Sequence, residues 1–502
     1  MYVQHKARAA KESSVASAGK LVLFSAFLLV LSLAGVAAAQ LQFSGRDLGV
    51  HDTGVRGNSV DSGKPIAGLT SDQSRFFEDG KNRFLEIDSV SGTVSGESGS
   101  GLGPSFNGNR CAGCHSQPAV GGTSPNKDIY PFVGPNPQVP LATLDGATNV
   151  IPFFININGP VREARFKYAV NPDGSLSNTP DGGVHDLYTI QGRVDATNVN
   201  GVSGSPQTCQ MKQPDFVRMQ ALRNLSLRIP TPVFGAGLIE SIDDATILAN
   251  QAEDAFLKRE LGISGHPNRN GNDGTIARFG WKAQNKSLQL FSGEAYNVEM
   301  GVTNEVFPTE RGYPPSAPPP SCLFNPSPED ATVFSASGSD TTKIPSDVVQ
   351  FSTFMRFLDQ PSPACTGSGC SPSIQNGRHL FVDVVKCAAC HTPTMRTAAS
   401  TFAPALNNID ANLFSDLLVH HMGPGLADGI SQGGAGPDEF RTAPLWGLGQ
   451  RIFFLHDGRT ADLLDAIEQH AGPGSEANGV ILMFHRLSPS QKQDLLNFLR
   501  SL

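Results

Sequence analysis

The chain has 502 residues and a formal net charge of −8, from 38 basic and 46 acidic side chains. That length allows two or three domains with real cores, and the mildly acidic balance without any basic run argues against a nucleic-acid partner. Fifty-three glycines and 36 prolines imply long loops, so the fold expected is mainly α with irregular connections and a few short strands.

At the N-terminus, Lys6, Arg8, Lys11 and Lys20 form a positive leader. Leu21 to Val36 is an apolar run too short for a comfortable membrane span, and Ala37-Ala38-Ala39 before Gln40 reads as a cleavage site. Residues 1–39 are therefore expected to be a cleaved signal peptide, with an uncleaved anchor as the alternative. The mature protein is expected in the periplasm.

Gly80-Lys-Asn-Arg-Phe84 precedes Cys111-Ala-Gly-Cys-His115, and Gly377-Arg-His-Leu-Phe381 precedes Cys387-Ala-Ala-Cys-His391. C-x-x-C-H is the attachment sequence of c-type haem. Thiols three positions apart share one side of a helical turn, so both can form thioethers with one porphyrin edge, and the next histidine reaches the iron. Zinc knuckles and a redox dithiol are the competing readings. Neither requires a histidine after the second cysteine, and a knuckle pair is not normally split across most of a chain. Two covalently bound haem c groups are expected.

The stretch from Gly121 to Gly204 has no helical period and is expected to hold short strands. Arg228-Ile-Pro-Thr-Pro232-Val-Phe234-Gly235-Ala-Gly237 and Arg441-Thr-Ala-Pro444-Leu-Trp446-Gly447-Leu-Gly449 follow the two motifs as a further loose repeat. Pro308 to Pro328 reads as a linker. A short amphipathic helix follows, capped by Ser346 or Asp347, with Val348, Val349, Phe351, Phe354, Met355 and Leu358 as its apolar face. A last helix is expected after Ser488 and Pro489, burying Leu495, Leu496, Phe498, Leu499 and Leu502.

Four further cysteines allow three pairings in an exported protein. The short spacing of Cys365 and Cys370 suits a small closed loop, which leaves Cys209 for Cys322. A functional dithiol at Cys365 and Cys370 is the sharper alternative. The chain is thus divided into a signal peptide (1–39), a first cytochrome c-like haem domain with insertions (40–306), a proline-rich linker and helix (307–370), and a second cytochrome c domain (371–502).

Beyond the motifs, Phe106 to Gly122, Phe279-Gly-Trp-Lys-Ala283, Glu299-Met-Gly-Val-Thr303, Met422 to Asp428 and Arg441 to Arg459 spread over nearly all of the mature chain. With them the sequence resembles bacterial di-haem cytochrome c peroxidases, and within these the di-haem oxidoreductase family. The resemblance implies a catalytic N-terminal haem, fed with electrons by the C-terminal haem past a tryptophan, here Trp281. It makes Glu299 the distal-pocket acid, chemically apt because splitting a bound peroxide needs a proton moved between its oxygens. It puts His470 where such peroxidases carry a methionine ligand to the C-terminal iron, with Met422 as rival. The first site departs from the pattern. No histidine lies between His115 and His185, so the site is either open or ligated by His185, Met211, Met219 or Met300. A calcium site is also implied, but its asparagine is replaced by Gly235, which puts calcium in doubt.

The function expected is a periplasmic di-haem oxidoreductase acting on a small molecule such as peroxide, served by a small cytochrome c or cupredoxin. The alternatives are an electron carrier without its own catalytic site and a thiol-active enzyme using Cys365 and Cys370.

Overall fold

A computed structural model describes residues 49–56, 61–124, 136–196, 209–312, 318–334 and 343–502; the signal-peptide reading of 1–39 lies outside them. The helix preceding the first motif, α1, runs over Ser71–Leu85. Thr70 and Gln73 close a reciprocal capping box at its start, satisfying two otherwise orphaned backbone donors. The first motif is itself one helical turn, α2 (Cys111–Cys114). The later helices that matter are α3 (Leu288–Met300), α4 (Asp347–Phe357), α5 (Pro372–His379), α6 (Leu463–Glu468), α7 (Asn478–His485) and α8 (Pro489–Ser501).

Two helix pairs repeat one design. In the first, α1 crosses α4 at Gly80, where an added Cβ would overlap the carbonyl of Gln350, and Phe77 and Phe84 pack on Phe354. In the second, α5 crosses α8 at Gly377, where a Cβ would overlap the carbonyl of Asp494. The phenylalanine four residues after each glycine then turns toward a motif histidine: Phe84 is 5.9 Å from His115, and Phe381 is 6.2 Å from His391. This explains physically why Gly-x-x-x-Phe recurs. The glycine permits close approach of two backbones, and the ring one turn on fills the space that approach creates.

Both expected amphipathic helices form. In α4, Val348, Phe351, Phe354 and Met355 are buried, and Leu358 just beyond its end is buried too. Ser488 and Gln491 form a second capping box on α8, with Pro489 at its first turn and Leu495, Leu496, Phe498 and Leu499 inside. The helix that follows the proline-rich stretch therefore packs against the helix that precedes the first motif.

Helices dominate, and the strands among the described residues are two to five residues long. Three of them form an antiparallel sheet, with β1 (Glu163–Phe166) between β2 (Val184–His185) and β3 (Leu225–Arg228). Its register sets Glu163 opposite Arg228 and Phe166 opposite Leu225. A second pair, β4 (Val419–His421) with β5 (Glu439–Arg441), lies near the second motif. Disulfides join Cys209 to Cys322 and Cys365 to Cys370. Among the described residues no helix is long and apolar enough to cross a membrane.

Candidate functional site

The two C-x-x-C-H motifs open onto two cavities. The first has a cavity volume of about 160 Å³ and is lined by Cys111, Cys114 and His115. The Nδ1–H of His115 donates to the carbonyl of Gly122 at 3.0 Å, which leaves Nε2 as the free ring nitrogen. Burial pushes this imidazole down to about 4, so it is neutral and carries a lone pair at neutral pH. Burial also pushes the Cys114 thiol up to about 12, the opposite of what a redox dithiol needs.

Facing the motif, α3 and β1 bring two carboxyl groups together. The Nδ2 of Asn107 donates to Glu299 Oε2 at 2.9 Å, and Glu163 accepts from Arg165 Nε at 2.6 Å. Burial, then the charge of Glu163 hydrogen-bonded to it, holds Glu299 well above the usual carboxylate range. Burial also opposes ionisation of Glu163, yet Arg165 and Arg228 outweigh it and hold that carboxyl below its ordinary value. Of the two, Glu299 is therefore the carboxyl that holds a proton the more tightly. The period-two alternation of β1 explains the charge placement. Glu163 and Arg165 face the cavity while Ala164 and Phe166 enter the core.

The second cavity has a volume of about 230 Å³ and is lined by Cys387, Cys390 and His391, and also by His470 and Met422. The Nδ1–H of His391 donates to the carbonyl of Phe414 at 2.9 Å, and that of His470 to Ala466 at 2.8 Å. Each therefore keeps Nε2 free, the same arrangement as His115. Burial pushes His391 down to about 4 and lowers His470 as well. His420 also lines this cavity, but both its nitrogens are engaged, by Asp416 at 2.9 Å and Glu476 at 2.8 Å. Despite burial, the adjacent Cys390 and then Asp416 hold it well above its usual value, and with both nitrogens engaged it leaves none free for a metal.

Two guanidinium groups test whether a prosthetic group fits. Arg441 and Arg451 line the second cavity, burial pushes both down to about 10, and neither makes an ion pair among the described residues. Arg441 Nη1 is buried without a hydrogen-bond partner. An unpaired buried guanidinium is costly unless a bound anion compensates it. A haem brings two propionates, so three imidazole donors, two thiol pairs and two unpaired cations together suit that group.

Trp281 lines both cavities, and its Nε1 donates to the carbonyl of Ile229 at 2.8 Å. Its neighbour Lys282 is fully enclosed, donating to Gly436 and Glu439 carbonyls and pairing with Asp428 at 3.2 Å. Asp428 also holds Arg228 at 2.5 Å.

Of the sequence-selected residues, the structure thus brings His115, Glu299, Trp281 and Met300 to the first cavity, and Trp281, His391, His470 and Met422 to the second. His185, Met211 and Met219 do not line the first. His185 instead stacks on Phe166 at 3.7 Å, with Nε2 3.0 Å from Asp181. The dithiol alternative meets a disulfide at Cys365 and Cys370. Gly235 has φ 63°, and a Cβ there would lie 2.6 Å from the ring of Trp446, so no side chain fits where the calcium asparagine was expected. Glu163, Arg165 and Arg451 escaped the sequence reading. The alternation of Glu163-Ala-Arg-Phe166 was the available signal for the first two.

Residues 174–502 match the family model described as "Di-haem oxidoreductase, putative peroxidase". No curated protein sequence matches the chain. Among solved structures, the diheme peroxidase BthA from Burkholderia thailandensis is 16% identical, with 31% of this chain and 50% of that one covered and a TM-score of 0.23. The alignment thus spans half of the BthA chain. A MauG-like protein associated with microbial copper homeostasis is 16% identical, covering 54% and 89%, with a TM-score of 0.25. Hydrazine synthase from Kuenenia stuttgartiensis is 17% identical, covering 62% and 100%, also at 0.25.

Proposed function

This chain belongs to the di-haem oxidoreductase family, and from that premise we propose that it is an exported c-type di-haem enzyme that reduces peroxide. Cys111, Cys114 and His115 would hold one haem, and Cys387, Cys390 and His391 the other, with His470 as second ligand to the latter. When bound, such groups supply redox-active irons that pass single electrons and, where a coordination position stays open, bind peroxide.

One observation carries the assignment of roles: the two cavities are chemically unequal. The first has a close carboxyl pair and His115 as its single lining histidine, whereas the second is lined by His391, His420, His456 and His470, of which His391 and His470 each hold Nδ1 on a carbonyl and keep Nε2 free. The second cavity's one lining carboxylate, Glu476, is tied to His420. In this reading a small cytochrome c or cupredoxin delivers electrons at the second site. Trp281, common to both cavity walls, bridges the path. At the first site Glu299 keeps a proton for the departing oxygen, Asn107 holds that carboxyl in place, and Glu163 stays ionised against Arg165 so that the proton remains on Glu299. The positive leader, apolar run and alanine site in 1–39 support export.

The test is spectroscopic. The holoprotein should carry the mass of two haems and show one high-spin and one low-spin ferric centre, and peroxide should shift its Soret band. Two low-spin centres indifferent to peroxide would instead make the protein an electron carrier, with Met300, which lines the first cavity, as the candidate further ligand there.

A further inference from the structure

Among the described residues, two tyrosines have enclosed rings, Tyr188 and Tyr296. Their hydroxyl groups are treated in opposite ways. Tyr188 packs beside Phe106, and its buried hydroxyl has no hydrogen-bond partner. Tyr296, on α3, lines the first cavity, and its hydroxyl lies 3.0 Å from Asp88 Oδ2 and 3.3 Å from Asp347 Oδ2. Asp347, at the start of α4, pairs with Arg83 at 3.4 Å, and Arg83 pairs with Glu86. Both the Arg83 and Asp347 side chains reach solvent. The Tyr296 ring stands edge-on to Phe351 at 5.0 Å.

Holding a phenol between two acidic side chains is an expensive way to fix a ring. One acceptor would satisfy the hydroxyl, and a second carboxyl in a buried place adds desolvation and repulsion. Burial holds Asp88 well above its usual range, whereas burial and the neighbouring Asp330 hold Asp347 at about 6. Of the two carboxyls around the hydroxyl, Asp88 is the more deeply buried and Asp347 the one whose side chain reaches solvent and Arg83, so Asp347 is the readier proton acceptor. Burial and the acidic groups also hold the phenol itself well above its normal value, so it does not ionise unaided. Oxidation to a neutral radical requires the hydroxyl proton to leave, and Asp347 Oδ2, 3.3 Å away, is placed to receive it.

We propose that Tyr296 is a redox-active phenol that stores one oxidising equivalent for the first site. The phenol gives one electron to that site after peroxide has oxidised it, and its O–H proton passes to the Asp347 carboxylate. The products are a neutral tyrosyl radical, a protonated Asp347 and a site reduced by one electron. An electron from the donor and return of the proton restore the phenol. The idea rests on the first cavity being where peroxide reacts.

One equivalent of hydrogen peroxide is added to the haem-loaded protein without an electron donor, and freeze-quenched EPR is recorded beside the Soret band. The expected result is an organic radical whose hyperfine structure collapses when the protein is grown with ring-deuterated tyrosine, a readout that needs no variant. The signal should vanish in Tyr296→Phe, persist in Tyr188→Phe and fall several-fold in Asp347→Asn, each checked for haem content. A Soret shift without a radical overturns the proposal, as does a signal that responds to ring-deuterated tryptophan instead, or one undiminished in Tyr296→Phe. If the Soret band itself ignores peroxide, the peroxide reading of the first site falls and this proposal with it.

Discussion

Glu163→Gln isolates the electrostatics of the first cavity. In the native pair, Glu299 acts as an acid, so turnover should fall as pH rises through its elevated value. Two carboxylates in hydrogen-bond contact at an effective dielectric near 20 repel by roughly 4 kcal/mol, about three pKa units. Removing the charge of Glu163 removes that repulsion and leaves the cation of Arg165, 2.6 Å from Glu163 in the native pair, without its anion. Both changes make Glu299 easier to ionise. The alkaline limb of the peroxide turnover profile should therefore move to lower pH, by at least about one unit after solvent screening is allowed for. The assay is peroxide consumption across pH with haem content measured on the same samples. Glu299→Gln, in contrast, should lose roughly 10²-fold or more at every pH and erase the limb. A limb that stays in place in Glu163→Gln, or moves to higher pH, would refute that coupling.

Replacing His470 with alanine should turn the second centre high-spin, and an unchanged spectrum would transfer the ligand role to Met422. Trp281→Phe keeps an aromatic ring but loses the bond to Ile229; stopped-flow reduction should show slower transfer between the sites with both haems retained, and an unchanged rate would remove the indole from the path. Gly377→Ala drives a Cβ into the Asp494 carbonyl and should cost about 1–3 kcal/mol in denaturant unfolding; no change in midpoint would mean the helices separate freely. Arg441→Met should make the haem-free protein more heat-resistant and the loaded protein less so, because a lone buried guanidinium is a burden until an anion meets it. A melting temperature that moves the same way in both forms would disprove that pairing.

What the residues alone determined is what local spacing can encode. C-x-x-C-H places two thiols and an imidazole within a single turn, so its chemistry is legible without a fold. The same holds for Ser488-Pro489 before an apolar stripe, which specified the last helix from first turn to buried face. The recurring Gly-x-x-x-Phe was visible as a repeat, but its meaning appeared only when α1 met α4 and α5 met α8, because a glycine needs a crossing partner to explain it. Tertiary structure alone decided which histidines keep a lone pair. His420 and His470 look alike in sequence, yet Asp416 and Glu476 occupy both nitrogens of one while Ala466 occupies a single nitrogen of the other. It also decided the acid pair, since Glu163 and Glu299 are far apart in the chain and meet only when β1 is sheathed between β2 and β3 and laid beside α3. Covalent attachment is encoded over five residues, whereas proton affinity depends on burial and on charges contributed by distant segments, which no local pattern records.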